Sequence, residues 1–144
     1  MTLRYLLDTN IVSAPVSKAP NAAIVQRLET HGPECAIPAP VWHELTCGCR
    51  RLPEGKRRVA LEAYLQEVVR ESFPILPYDE VAAAWHGRER ARLEASGRSA
   101  PYVDGQIASI AHVNALVLVT ANARDFARFK DLKVEDWTRA GRRR

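Results

Sequence analysis

Short apolar runs alternate with amphipathic stretches along the chain. Leu3-Arg4-Tyr5-Leu6-Leu7 is a brief, mostly apolar run that ends at Asp8-Thr9-Asn10. It predicts a buried strand over residues 3–7. Asn21, after Pro20, predicts a helix cap, with Ile24, Val25 and Leu28 on one face and His31-Gly32-Pro33 as the stop. Cys35-Ala36-Ile37 reads as a second strand. Pro38 and Pro40 break it and open a helix carrying Trp42, Glu44 and Leu45. Leu52-Pro53-Glu54-Gly55 is a turn. Leu61, Leu65, Val68 and Val69 then recur at helical spacing and predict one helix from about Lys56 to Glu71. Phe73-Pro74-Ile75-Leu76-Pro77 is a proline-bracketed third strand. Asp79 caps a helix with Val81, Ala84, Trp85 and Leu93. After a loop at 97–101, Val103, Ile107, Ile110 and Ala111 mark another amphipathic helix. Residues 115–120 are the strongest strand in the chain, Asn122-Ala123-Arg124-Asp125-Phe126 turns into a short helix, and Leu132–Val134 adds an edge strand.

Strands that alternate with helices predict an α/β domain: a central, mostly parallel sheet of about five strands with helices on both faces. The 144 residues suffice for one compact domain with its own core, and 47% hydrophobic residues place it among globular chains. With no repeat, low-complexity tract or long linker, residues 1–137 read as a single domain and 138–144 as a basic tail. No apolar run approaches the roughly 20 residues needed to cross a bilayer. The N-terminal run, interrupted by Arg4 and Asp8, is no signal peptide, so the expected location is the cytosol and no membrane contact is expected.

Three cysteines, Cys35, Cys47 and Cys49, are an odd count, and with the expected lack of a secretion signal they argue against a disulfide framework. Cys47-Gly48-Cys49 has no second Cys/His pair at zinc-finger spacing, so reduced, partly buried thiols are expected. The net charge of +4 and pI near 9.2 come with clustered arginines: Arg50 and Arg51 before Lys56, Arg57 and Arg58; Arg88, Arg90, Arg92 and Arg98; and the tail Arg142, Arg143 and Arg144. Such clusters suit a polyanion, and Arg50, Arg51 and Arg98 are candidate contacts to a nucleic-acid backbone.

Four acids change the picture. Asp8 ends the first strand, Glu44 lies near the start of the helix after the second, Asp104 opens a helix, and Asp125 follows the strand that ends at Thr120. Taken singly, each is explained as a turn residue, a first-turn acid or a cap. In an open parallel sheet, however, ligands bind beyond the carboxyl ends of the strands, and all four can converge there. A cluster with oxygen donors alone selects a hard cation, Mg²⁺ or Mn²⁺. His43, next to Glu44 on the helix, points elsewhere, and His31, His86 and His112 fit no triad pattern. A phosphatase of the haloacid-dehalogenase type would need a second Asp where Asn10 stands, and a receiver domain would need a phospho-acceptor Asp and a Lys that are not so placed.

Leu6-Leu7-Asp8-Thr9-Asn10, His43-Glu44-Leu45, Asp104-Gly105-Gln106-Ile107-Ala108 and Thr120-Ala121-Asn122-Ala123-Arg124-Asp125-Phe126, in that order, resemble a PIN domain. The likeness is nearest to the VapC-type toxins of toxin–antitoxin pairs, including the FitB-like branch. It covers nearly the whole chain and implies a PIN-like three-layer α/β/α fold and a Mg²⁺- or Mn²⁺-dependent endoribonuclease. The family's acids fall on Asp8, Glu44, Asp104 and Asp125, with Asp8, Asp104 and Asp125 as metal ligands. Thr9, Asn10, Thr120 and Asn122 fall where the family shapes its site. The resemblance also implies an RNA substrate, a cognate VapB-like antitoxin and a homodimer. Two positions depart from the pattern: Ala121 stands where relatives often have a basic residue, and Glu135-Asp136-Trp137 where Asn-Pro-Trp is frequent. A DNA-directed nuclease and a non-catalytic interaction module of the same fold are the competing readings.

Overall fold

The structure is a computed structural model and describes residues 2–139; the terminal arginines 142–144 lie outside them. Five strands, β1 (Tyr5–Leu7), β2 (Cys35–Pro38), β3 (Ile75–Leu76), β4 (Val117–Val119) and β5 (Val134–Glu135), form one sheet in the order β3-β2-β1-β4-β5. Every pairing is parallel, and helices cover both faces. A strand covered on both faces must be apolar throughout, which is why β1 and β4 appear in the sequence as continuous rather than alternating runs. Tyr5, Leu6 and Leu7 are all buried, and Leu6 sits in register between Ala36 and Leu118. The paired segments are shorter than the apolar runs, although Arg4 still extends the ladder through its N–H to Glu34 and its carbonyl to Val117.

In chain order the helices are α1 (Thr9–Val12), α2 (Ala22–His31), α3 (Ala39–Arg51), α4 (Lys56–Ala63), α5 (Arg70–Ser72), α6 (Glu80–Ala95), α7 (Tyr102–Val113) and α8 (Ala123–Phe126). Of these, α1 falls where the sequence reads only the stop of the first strand, and the others follow the expected order. Asn21 caps α2 by accepting from the Ile24 N–H at 3.1 Å, and Asp79 caps α6 by accepting from the Ala82 N–H at 3.0 Å. Gly97, at φ +70°, ends α6: its N–H reaches the Glu94 carbonyl and the Arg98 N–H reaches that of Leu93. That paired closure needs a left-handed residue, which glycine adopts without strain.

The stretch over 56–72 differs from the single regular helix expected. Between α4 and α5 it widens into a π-helical segment, Tyr64–Val69. The wider turn brings Leu65 and Val69 together on the buried face and swings Val68 outward to 47% exposure. At the start of this segment the Tyr64 hydroxyl donates to the Val12 carbonyl at 2.7 Å, tying it to α1.

Trp137, fully buried, closes the core beneath β1. Its ring packs edge-on against Tyr5 at 5.0 Å and lies 5.7 Å from His31. All three cysteines are free thiols, and burial pushes Cys35 up to about 12. Among the described residues no helix is long and apolar enough to cross a membrane.

The winding of the sheet locates the crevice. The chain runs from β1 to β2 to β3 in one direction, then crosses back to the far side of β1 to lay down β4 and β5. The connections therefore diverge between β1 and β4, and the carboxyl ends of those two strands border an open cleft.

Candidate active site

Asp8 stands at the carboxyl end of β1, with its N–H bonded to the Val119 carbonyl of β4 at 2.9 Å. Its carboxylate is only 8% exposed and held from two sides. Oδ1 accepts from the Thr9 N–H at 2.8 Å, and Oδ2 accepts from the Thr120 hydroxyl at 2.8 Å. The Thr120 Oγ1 in turn accepts from the Asn122 N–H at 3.0 Å. Asn10 Oδ1 accepts from the Ala121 N–H at 3.2 Å, stitching the same two loops together. Thr9, Asn10, Thr120 and Asn122 thus form the polar frame that fixes Asp8. Burial raises the proton affinity of Asp8 above the usual carboxylate range; the two donors lower it, and the charges of Glu44 and Asp125 raise it again.

Glu44 lies in the second turn of α3, its carboxylate Oε2 accepting from the Thr9 hydroxyl at 2.7 Å. Thr9 therefore links two of the acids, through its backbone to one and its hydroxyl to the other. Asp104 lies in the first turn of α7, half-buried. Its pKa is pushed up to about 6, first by burial and then by the charges of Asp8 and Asp125; Arg128 opposes the rise. Asp125 sits exposed inside α8 and is not its cap, a position held by Asn122. The cap explanation open to Asp125 in the sequence is thereby removed, whereas Asp8 does cap α1 as well as facing the cleft.

Four carboxylates from four separate segments thus act on one another electrostatically at the carboxyl edge of the sheet. Among the described residues no three His, Cys, Asp or Glu side chains are drawn into a closed metal-holding group. The donor set is nevertheless all oxygen and strongly anionic, with two members reluctant to ionise beside the others, and a hard divalent cation fits it.

The arginines singled out in the sequence are not gathered here. Arg50 and Arg51 are exposed at the far end of α3, with Arg50 3.8 Å from Glu62. They lie roughly 9 Å or more beyond Glu44 along the helix axis. Arg98 is exposed at the start of the loop that leads into α7. A cation that does bear on Asp104 is Arg128, which was not among the arginines singled out in the sequence; its one signal was a basic residue a helical turn past Asp125.

A second feature lay hidden in the pattern. The buried His86 ring of α6 lies directly over Gly105, beside Asp104, and a Cβ added at Gly105 would sit 2.1 Å from Nε2. Nδ1 of His86 is 2.8 Å from the Tyr78 hydroxyl, so the histidine without a triad partner has a structural one. Next to Glu44, an open groove of about 380 Å³ is lined by Ala39, Pro40, His43, Tyr78, Val103 and Gln106.

Known proteins share this architecture. The PIN domain family matches residues 5–132. The chain is 31% identical to the tRNA(fMet)-specific endonuclease VapC of Shigella flexneri, over 94% of this chain and 99% of that protein. It is 32% identical to the toxin FitB of Neisseria gonorrhoeae, over 84% and 89%. Its fold superposes on the solved structure of FitAB bound to the IR36 DNA fragment with a TM-score of 0.88 and 26% identity, covering 97% of this chain and 99% of that one. The DNA-bound VapBC of Salmonella typhimurium gives a TM-score of 0.81 and 30% identity over 94% and 99%. The chain belongs to the PIN domain family, on the branch that holds the VapC and FitB toxins.

Proposed function

We propose that this protein is a Mg²⁺- or Mn²⁺-dependent endoribonuclease, the toxin of a VapBC-type pair. One observation carries the reading: Asp8 and Asp104 lie at the switch point of the sheet close enough to Glu44 and Asp125 that the neighbouring charges, with burial, raise the proton affinity of both. Such an arrangement is costly for a fold to keep and is offset when a cation is held between the acids. The names of the relatives, an endonuclease and ribonucleases, support the same chemistry.

Asp8, Asp104 and Asp125 would hold the cation, and Glu44 completes the set. When bound, the metal supplies a water of lowered pKa and neutralises charge on the scissile phosphate. The chain's own residues do the rest. Thr120 and the Thr9 N–H fix both oxygens of Asp8, so one carboxylate is presented in a set orientation. The Thr9 hydroxyl holds Glu44 toward the cleft. The arginine surface draws the RNA backbone in, in a salt-dependent way.

A VapB-like antitoxin is the expected partner, since solved relatives are toxin–antitoxin complexes; a homodimer belongs to the same reading. The test is incubation of the purified protein with labelled RNA and labelled DNA, with Mg²⁺ and with excess EDTA. Cleavage of RNA alone, abolished by EDTA and by Asp8→Asn, is expected. Cleavage that survives EDTA sinks the metal reading, DNA cleavage favours the DNA-directed alternative, and no cleavage of either favours a non-catalytic module.

A further inference from the structure

Arg128 is held in place more firmly than a surface arginine needs. It lies three residues beyond Asp125, half-buried, and a guanidinium nitrogen donates to the carbonyl of Ser99 in the loop leading to Asp104. Its own carbonyl accepts from Arg92 Nη2 at 3.0 Å. Arg92 is paired side-on with Glu89 through bonds of 2.9 and 2.8 Å. Glu89, only 8% exposed, also accepts the Lys130 N–H at 2.8 Å. One carboxylate on α6 therefore clamps the backbone on the carboxyl side of Arg128, while the guanidinium spans from the turn after α8 to the loop that enters α7.

With Glu89 buried and Arg92 exposed, the pair is poor value as stabilisation, because desolvation of the carboxylate and solvent screening of the guanidinium consume much of the attraction. Fixing a geometry is a better account of this one. What it fixes is a cation beside the acids: Arg128 stands three residues past Asp125 with its guanidinium on the loop that leads to Asp104, yet among the described residues it forms no ion pair with either. The guanidinium is thus close to the cleft without being neutralised by a single carboxylate, and its planar fork matches a phosphate.

We infer that Arg128, held by the Glu89–Arg92 clamp, is a substrate-binding residue that contacts a phosphate oxygen of the RNA beside the scissile bond. The inference rests on the nuclease reading above. A simpler role exists, a strap that ties Ser99 to α8, and it would show only in stability.

The test is kcat/KM for cleavage of a short single-stranded RNA across a salt series, with thermal melts alongside, for wild type, Arg128→Gln and Arg128→Lys. Arg128→Gln is expected to lose roughly tenfold to a hundredfold in kcat/KM, the scale of one charge-assisted hydrogen bond. Its log–log salt slope should flatten by about 0.7, one phosphate contact on a single strand. Arg128→Lys should keep the slope and still lose activity, because it keeps the charge and not the fork. Unchanged kcat/KM and slope in Arg128→Gln, whatever its melting temperature, overturn the inference. If that variant does not fold, undiminished kcat/KM in Arg128→Lys overturns it instead. Wild type that cuts no RNA removes the nuclease reading itself, an outcome distinct from wild type that cuts while the variants match it.

Discussion

Asp104 is the residue on which the electrostatics of the site converge. Its pKa of about 6 in the folded chain exceeds the usual 3.8, and burial and neighbouring acids are the cause. An acid with a raised folded pKa favours the fold while it is protonated. Its contribution is full below about pH 4 and is lost as pH rises through 6. The metal-free protein should therefore weaken between pH 4 and pH 7 on this account. Asp104→Asn, which cannot ionise, should be more stable than wild type at pH 7.5 in EDTA, by about 1 kcal/mol once the half-exposure of the group is discounted. Thermal melts of both proteins at pH 4.5 and 7.5 read this directly. The same variant should be inactive, so a site that costs stability would be paired with one that supplies activity. Equal pH dependence in the two proteins would mean that Asp104 carries no such strain.

At the scale of elements, Gly105 shows how much of α7 is dictated by what lies against it. A glycine inside a helix costs about 1 kcal/mol relative to alanine, so this position needs a reason. The reason is His86, whose ring occupies the space of a Cβ. Gly105→Ala should destabilise the chain by about 1–3 kcal/mol, the usual cost of overpacking, and displace the turn that carries Asp104. Combining it with His86→Ala should recover part of that loss, measured as a double-mutant cycle by urea unfolding; strict additivity would argue against the contact. Elements such as β1, β4 and the Asn21 and Asp79 caps were legible in the sequence because their cause is local: a continuous apolar run, or an acceptor one turn before the residues it serves. The four acids were legible for a related reason, since each follows a recognisable strand or helix boundary. The π-helical segment, the His86–Gly105 contact and the Arg128 clamp were not. Each joins residues brought together only by the fold: Tyr64 with Val12, His86 with Gly105, and Glu89 with Lys130. No periodicity or spacing records those pairings, and the Arg50–Arg51 cluster that spacing did record sits away from the acids.

For the molecule as a whole, the charges are divided: a net +4 chain gathers four acids at one edge of its sheet. That division suits a protein whose surface attracts a polyanion and whose cleft attracts a cation. It would also couple the fold to a metal held there, since an ion that binds only the folded state stabilises it by mass action. At a hundredfold excess over its dissociation constant the gain is about 2.7 kcal/mol, or roughly 5–10 °C in melting temperature for a domain of this size. Mn²⁺ or Mg²⁺ should therefore raise the melting temperature relative to EDTA, and the rise should be lost in the Asp8→Asn/Asp104→Asn double variant. The rise should also grow from pH 5 to pH 7.5, because below pH 6 the ion must displace a proton from Asp104. Melts in both buffers at the two pH values read the coupling without any substrate. A shift that is the same at both pH values, or that persists in the double variant, would place the ion somewhere other than these carboxylates.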